Sequence, residues 1–235
     1  MLPDLPPLFP DQRRLSLDGR LTPLIKICGI THPADAELAL SLGADALGLN
    51  FYPKSARCLD LARDLGWLRA LPAAVPRIAV LVNPDRAEID RLWAEGCFDA
   101  FQLHGDEDET FCAALAASGI PFLKALRLRD HACLNLATGL HTPYLLLDSY
   151  HPGAYGGTGI AADWQLAAAF AVRRRAARTQ QWTWLSGGLQ AENVAAAIRQ
   201  VRPDGVDVAS GVEGAAGPRR KDAARLRDFF AAVRG

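Results

Sequence analysis

The chain has 235 residues, half of them hydrophobic, and its 26 Lys plus Arg balance 26 Asp plus Glu to a formal net charge of zero. That length buries roughly 70% or more of the unfolded surface, so no metal or disulfide staple is needed, and zero net charge gives no global field to draw in nucleic acid or an acidic membrane. The five cysteines (Cys28, Cys58, Cys97, Cys112, Cys133) are odd in number, scattered and free of CxxC pairs, which argues against a disulfide framework or a zinc site and fits a reducing cytoplasm.

Residues 1–22 carry Pro3, Pro6, Pro7 and Pro10 among charged residues and lack the apolar core of a secretory signal. They read as an irregular, dispensable arm ahead of a folded domain over 23–235. Asp163 and Gln165 interrupt the most Ala-rich stretch, so no run reaches the roughly 18 to 20 apolar residues of a membrane span, and a soluble protein is expected.

From Leu24 onward one rhythm repeats: a short apolar β-rich run, a loop of Gly, Asp, Asn or His, then a helical stretch of Ala, Leu, Arg and Glu. The first run, Leu24–Cys28, puts Leu24, Lys26 and Cys28 on one face and Ile25 and Ile27 on the other, because strand side chains alternate. It breaks at Cys28 into the Gly29 turn. The later strands are expected at Ala46–Phe51, Arg77–Val82, Ala100–His104, Phe122–Leu126, Tyr144–Asp148, Trp182–Ser186 and Gly205–Ser210. The helices fall at about Pro33–Leu42, Leu61–Ala70, Asp85–Glu95, Glu107–Ala117, Asp130–Ala137, Ala162–Arg175, Ala191–Gln200 and Lys221–Val233, several opened by Pro, Asp or Glu.

Eight strands alternating with eight helices either close into a parallel barrel or lie as an open sheet. The count favours a single-domain α/β fold of the (β/α)8 TIM barrel type, and the turn after the first strand is not the GxGxxG of open dinucleotide-binding sheets. No linker of Pro, Gly and Ser divides the chain after residue 24.

Chemistry in such barrels gathers at the carboxyl ends of the strands. There the sequence offers Cys28 after strand 1, Arg57 after strand 2, His104 after strand 4 and Asp148 after strand 6. Each has a bland alternative, Cys28 as a small buried hydrophobe, Arg57 as a solvated charge, His104 and Asp148 as turn or cap residues, but together they form a coherent set. Glycine turns at 156–159, Ser186–Leu189 and Ser210-Gly211 follow strands 6, 7 and 8, where backbone N–H groups and the helix beginning near Ala191 suit a phosphate. Lys26 and Asp207 fall inward by parity, which suggests a buried ion pair between strands 1 and 8, structural more than catalytic. Lys124 on strand 5 reads similarly.

At these residues the chain resembles the phosphoribosylanthranilate isomerase family of tryptophan biosynthesis. The likeness rests on KICGIT (26–31), FYPKSAR (51–57), VLVNPD (80–85), QLHGDE (102–107), LLLDS (145–149), GGTG with the following DW (156–159, 163–164), LSGGLQAENV (185–194) and GVDVASGVE (205–213). Their order and spacing span nearly all of the chain from Leu24. The resemblance implies a cofactor-free and metal-free Amadori rearrangement of N-(5-phosphoribosyl)anthranilate to 1-(2-carboxyphenylamino)-1-deoxyribulose 5-phosphate. By it Cys28 is the general base, Asp148 the general acid and Arg57 the grip on the anthranilate carboxylate. It makes Gly157, Thr158, Gly187, Gly188, Ser210 and Gly211 the phosphate cradle, and His104 a substrate-orienting residue. A thiol near pKa 8.5 is mostly protonated at neutral pH, so Cys28 needs its thiolate favoured, with Lys26, His104 or a bound iminium as candidates.

The sequence departs from the family at Asn50, usually apolar, at Ala56, commonly proline, and in the slightly longer Gly214–Arg220 loop; residues 1–22 have no counterpart. The related barrel isomerase of histidine biosynthesis is one rival, but it uses an aspartate as the strand 1 base. A phosphosugar-binding barrel without turnover is the other, and it gives no reason to keep both Cys28 and Asp148. A small-molecule substrate is the expected partner, with neither nucleic acid nor membrane, and the expected assembly is a monomer or homodimer.

Overall fold

The computed structural model describes residues 8–9, 22–130, 140–149, 163–176, 181–215 and 217–235. Strands β1 (Leu24–Cys28), β2 (Ala46–Asn50), β3 (Arg77–Leu81), β4 (Ala100–Leu103), β5 (Phe122–Leu128), β6 (Tyr144–Ser149), β7 (Trp182–Leu185) and β8 (Gly205–Val208) pair in sequence order, all parallel, and β8 returns to β1. All eight expected strands are present. Helices α1 (Pro33–Ser41), α2 (Leu61–Ala70), α3 (Arg86–Trp93), α4 (Glu109–Ala117), α5 (Trp164–Ala176), α6 (Ala191–Val201) and α7 (Ala223–Arg234) follow seven of them. The helix expected over 130–137, apart from Asp130, and the glycine turn at 156–159 lie outside the described residues.

The helix starts obey local chemistry. Asp60, Asp85, Asp108 and Asp222 each accept from backbone amides in the first turn of the helix they cap, which satisfies donors that the helix itself leaves unpaired. Three expected helix starts, Asp85, Glu107 and Lys221, thus sit one, two and two residues ahead of the helix proper. Strand β5 runs two residues beyond expectation because Arg127 and Leu128 pair with Asp148 and Ser149 of β6.

Strand alternation sorts the core into two. Ile25, Ile27, Leu47, Leu49, Leu81, Phe101, Phe122 and Leu147 point outward and pack with the apolar stripes of the helices. Leu24, Ala46, Ile78, Ala100, Leu123, Tyr144, Leu146 and Trp184 point into the barrel at its amino end. Trp184, fully buried, is the largest of these, and Gly205 beside it is what the ring requires, since a Cβ there would stand 2.4 Å from Trp184 Cε3. Phe9 of the arm closes this end: it is 3% exposed, with its ring 4.8 Å from Trp184 and edge-on to Tyr144 at 5.4 Å. The Leu8 amide donates to Tyr144 Oη at 2.8 Å.

Lys124 is buried and paired with Glu107 at 2.7 Å, as expected of a structural ion pair. It lies on the outward face of β5, in the parity of Phe122 and Leu126. Among the described residues no helix is long and apolar enough to cross a membrane.

Candidate active site

At the carboxyl end the same inward positions turn polar. Cys28 of β1, Asn50 of β2, Gln102 of β4 and His104 just after it, Asp148 of β6 and Asp207 of β8 line one cavity, which the loops carrying Arg57, Ser186 to Leu189 and Ala209-Ser210 complete. Cys28 and Asp148 stand three places apart around the closed rim and face the same space. Both are nearly inaccessible, at 8% and 2% exposure.

The thiol sits in a built charge network. Lys26, two residues before it and on the same face, bonds Asp207 at 2.8 Å with both groups buried, and its ammonium favours the charged form of the Cys28 sulfur. Burial first, then the Asp207 carboxylate, pushes the Cys28 thiol up, and Lys26 and Lys221 offset this only in part. The expected pair Lys26–Asp207 therefore exists, but it belongs to the environment of the thiol as well as to the barrel interior. Removing either partner would strand a buried charge at a cost of about 3 to 5 kcal/mol.

The carboxylate is held by three donors. His104 Nε2 lies 2.9 Å from Asp148 Oδ2, while Oδ1 accepts from Ser186 Oγ at 2.7 Å and from the Ser149 amide at 2.9 Å. Burial pushes the Asp148 carboxyl up, but these bonds and the charge on His104 outweigh it and leave the group below the ordinary carboxylate range. Behind the imidazole, Gln102 Nε2 approaches His104 Nδ1 at 2.7 Å.

Arg57 crosses over the turn that follows β1. Gly29 permits this, because a side chain there would meet Arg57 Cδ at 2.3 Å. The guanidinium grips Glu213 with Nε and Nη2, both at 2.6 Å, and Glu213 also accepts from Lys221 at 2.9 Å. The remaining Nη1 edge of the fork is not used in that grip.

The glycine turn after β7 is shaped by backbone conformations open chiefly to glycine, with φ of 89° at Gly187 and 62° at Gly188. It leads to α6, whose cap Gln190 and Asn193 close a reciprocal capping box. Gly187, Gly188 and Ser210 line the cavity as expected, whereas Gly211 is not among its lining residues. Gly211 is needed for packing: a Cβ there would stand 1.9 Å from the Leu189 carbonyl oxygen, so its absence lets the two loops touch. Gly157 and Thr158 lie outside the described residues.

The set expected from sequence is thus largely brought together, and it was incomplete. Gln102, Ser186, Glu213 and Lys221 were not singled out, although Gln102 shares the inward parity of His104 and Ser186 directly follows β7. Glu213 and Lys221 meet across an isolated antiparallel bridge between two loops, a contact that strand parity cannot forecast. Asn50 turns its Oδ1 to the Tyr52 amide at 2.8 Å, so this unusual residue caps its own loop at the cavity wall.

A closed parallel barrel with a thiol and a carboxylate at the carboxyl mouth puts the chain in the class of (β/α)8 barrel enzymes. Comparison with known proteins narrows the class. Residues 25–232 match the family model described as N-(5'phosphoribosyl)anthranilate (PRA) isomerase. A relative of that name from Pelobacter propionicus is 43% identical over 207 residues, 88% of this chain and 93% of the other, and one from Neisseria gonorrhoeae is 41% identical over 88% and 94%. The crystal structure of phosphoribosyl anthranilate isomerase from Thermotoga maritima superposes with a TM-score of 0.78 at 35% identity, over 90% of this chain and 98% of that one. A structure of the enzyme in complex with reduced 1-(o-carboxyphenylamino)-1-deoxyribulose 5-phosphate gives 0.73 at 33% identity, with the same coverage. The chain belongs to the N-(5'-phosphoribosyl)anthranilate isomerase family.

Proposed function

We infer that this protein isomerises N-(5'-phosphoribosyl)anthranilate to 1-(2-carboxyphenylamino)-1-deoxyribulose 5-phosphate in tryptophan biosynthesis, by general acid and base catalysis. The observation that carries the reading is the presence of Cys28 and Asp148 in one buried polar cavity of a family member. A solved relative takes a reduced analogue of that product.

The chemistry needs two opposed groups. An acid on the Asp148 side delivers a proton to the ribose ring oxygen as its bond to C1 breaks, and the anthranilate nitrogen supplies the electron pair that makes the iminium. Cys28, as thiolate, then takes the proton from C2 to give the enolamine, which tautomerises to the ketone. The ammonium groups of Lys26 and Lys221 favour that thiolate, and the cationic iminium adds to them once formed. The phosphate would lie on the Gly187-Gly188 turn and Ser210, near the positive end of α6. Arg57 would meet the anthranilate carboxylate with the edge not held by Glu213.

The small-molecule substrate is the partner this reading requires, and a reducing cytoplasm is the compartment it assigns, in keeping with the unpaired thiols Cys28, Cys58, Cys97 and Cys112. A monomer or a homodimer both fit; the Thermotoga maritima relative is dimeric. Phosphoribosylanthranilate fluoresces through its anthranilate, so purified protein should extinguish that signal. A signal that persists with active controls alongside refutes the reading.

A further inference from the structure

Arg57 is held from a distant part of the chain. It is the third residue of the turn over 55–58, which the Cys58 amide closes on the Ser55 carbonyl at 3.0 Å. Such a turn sets the backbone but leaves a long side chain many rotamers. Two residues that follow β8 restrict both. Glu213 accepts from Arg57 Nε and Nη2, each at 2.6 Å. Arg219 donates through Nη1 to the carbonyls on either side of Arg57, to Cys58 at 2.9 Å and to Ala56 at 3.3 Å. The guanidinium and the flanking backbone of one residue are thus fixed from at least 156 positions away.

These holds are themselves anchored. Glu213 accepts from the buried Lys221 at 2.9 Å, and Lys221 also donates to the Ala209 carbonyl at 3.0 Å. Arg220 grips the buried Asp35 of α1 at 3.1 Å, and the Lys221 amide donates to the same carboxylate at 2.9 Å. The Arg219 carbonyl accepts from the Thr31 hydroxyl just after β1. The chain after β8 therefore ties the rim at β1 to the rim at β2, where Arg57 stands.

The chemistry of the hold points to one kind of ligand group. A guanidinium presents five N–H groups in a planar fork. With Nε and one hydrogen of Nη2 committed to Glu213, the end-on pair of Nη1 and Nη2 is left at the cavity that Arg57 lines. That pair fits two parallel bonds to a single carboxylate. The charge fits as well. Arg57 and Glu213 alone would cancel and draw an anion weakly, but Lys221 on the same carboxylate leaves one positive charge over.

We propose that Glu213 and Arg219 are positioning residues that aim Arg57 at the ring carboxylate of the substrate, so that residues after β8 set the selectivity for a carboxylate-bearing aromatic amine. The proposal deepens the isomerase reading above and rests on its assignment of Arg57. A fork fixed before the substrate arrives removes an ordering cost from binding, and a bidentate contact is the kind that a loosely held fork would lose first.

The test uses two probes titrated calorimetrically into the full-length protein: reduced 1-(2-carboxyphenylamino)-1-deoxyribulose 5-phosphate, and its counterpart made from aniline, which lacks the ring carboxylate. The wild type should prefer the first. Glu213→Gln keeps the shape but loses the charge and one acceptor, and should weaken binding of the first probe about tenfold, the worth of a bond to a charged group. Arg219 is exposed, so Arg219→Ala spares the core and keeps the test open if Glu213→Gln fails to fold; it should weaken the first probe about threefold, as suits an exposed contact. Binding of the second probe should be little changed in both. In an Arg57→Met background neither substitution should weaken binding further, because the group they position is gone.

Equal losses for the two probes, an unchanged preference in both variants, or losses that persist without Arg57 overturn the positioning role, as does a wild type with no preference. Protein that binds neither probe and leaves phosphoribosylanthranilate fluorescence intact overturns the isomerase reading instead. Nitrogen NMR of the ligand-free protein then still decides the hold: the Arg57 Nε–H should be protected from exchange in the wild type and lose that protection in Glu213→Gln, and equal protection in the two refutes it.

Discussion

The two ends of the barrel interior are made from the same strands at the same parity, yet they share almost no chemistry. At the amino end Leu24, Ile78, Tyr144, Trp184 and the incoming Phe9 form a dry aromatic and aliphatic plug. Two or four residues further along the chain from these positions stand Cys28, Val80, Val82, Asp148 and Ser186, in a cavity that also holds His104. The amino end contributes buried apolar area and close packing. The carboxyl end concentrates buried polar groups that burial alone would disfavour, and Asp148, His104 and Asp207 are tolerated because neighbours bond them. Parallel strands thus separate stability and reactivity along one axis, without a second domain.

That separation predicts which substitutions affect rate and which affect folding. The largest effect is expected at the carboxyl end: Cys28→Ser and Asp148→Asn should each lower turnover by about two to four decades while a phosphate ligand still binds. Steady-state rates beside ligand titrations check this, and near wild-type turnover in either variant removes that residue from the mechanism.

The converse is expected at the amino end. Phe9→Ala should cost about 3 kcal/mol, in the range of large-to-small core changes, and lower Tm by roughly 6 to 12 °C for a chain of this size, with kcat and KM preserved. Calorimetry with the fluorescence assay measures both. A variant as stable as the wild type would show that the arm is dispensable, as its composition alone suggests.

A smaller effect is expected at the rim. Arg57→Lys keeps the charge but loses the fork, and with one charge-assisted bond lost KM should rise about tenfold while kcat changes less. Equal losses in kcat and kcat/KM would instead assign Arg57 to the transition state.

The smallest effect concerns acid. Because the folded state holds the Asp148 carboxyl below its ordinary value, its ionisation contributes stability that is fully present above the unfolded value of about 3.9 and lost as pH falls through the folded one. The stability difference between wild type and Asp148→Asn should therefore shrink below about pH 4. Urea midpoints against pH read this directly, and a constant difference would contradict the depressed value.

The strands were legible because short apolar runs between glycine and aspartate loops have few other solutions. Cys28, Lys26, Asp148 and Asp207 were legible by parity once the first residue of each strand was set. Glu213 and Lys221 were not, because both lie in loops, where no period constrains direction, and Lys221 was read as the first residue of the last helix, which begins at Ala223. Arg57 was correctly placed at the mouth, but its grip on Glu213, 156 positions away, has no local signature. At Gly211 the Leu189 carbonyl beside it demands a glycine, a packing requirement that the sequence alone did not show.

By itself the sequence determined the alternation of strand and helix, the placement of Cys28 and Asp148 at strand ends, and the family. Those properties are local or carried by motifs, and they survive without knowledge of neighbours. Only the tertiary structure decided that Phe9 closes the amino end, that Lys26 serves the thiol as well as Asp207, and that Asp148 is bonded to His104 with the Gln102 amide nitrogen behind it. Each of these depends on distances between segments far apart in the chain, and such distances are set by closure of the barrel and not by any one of its strands.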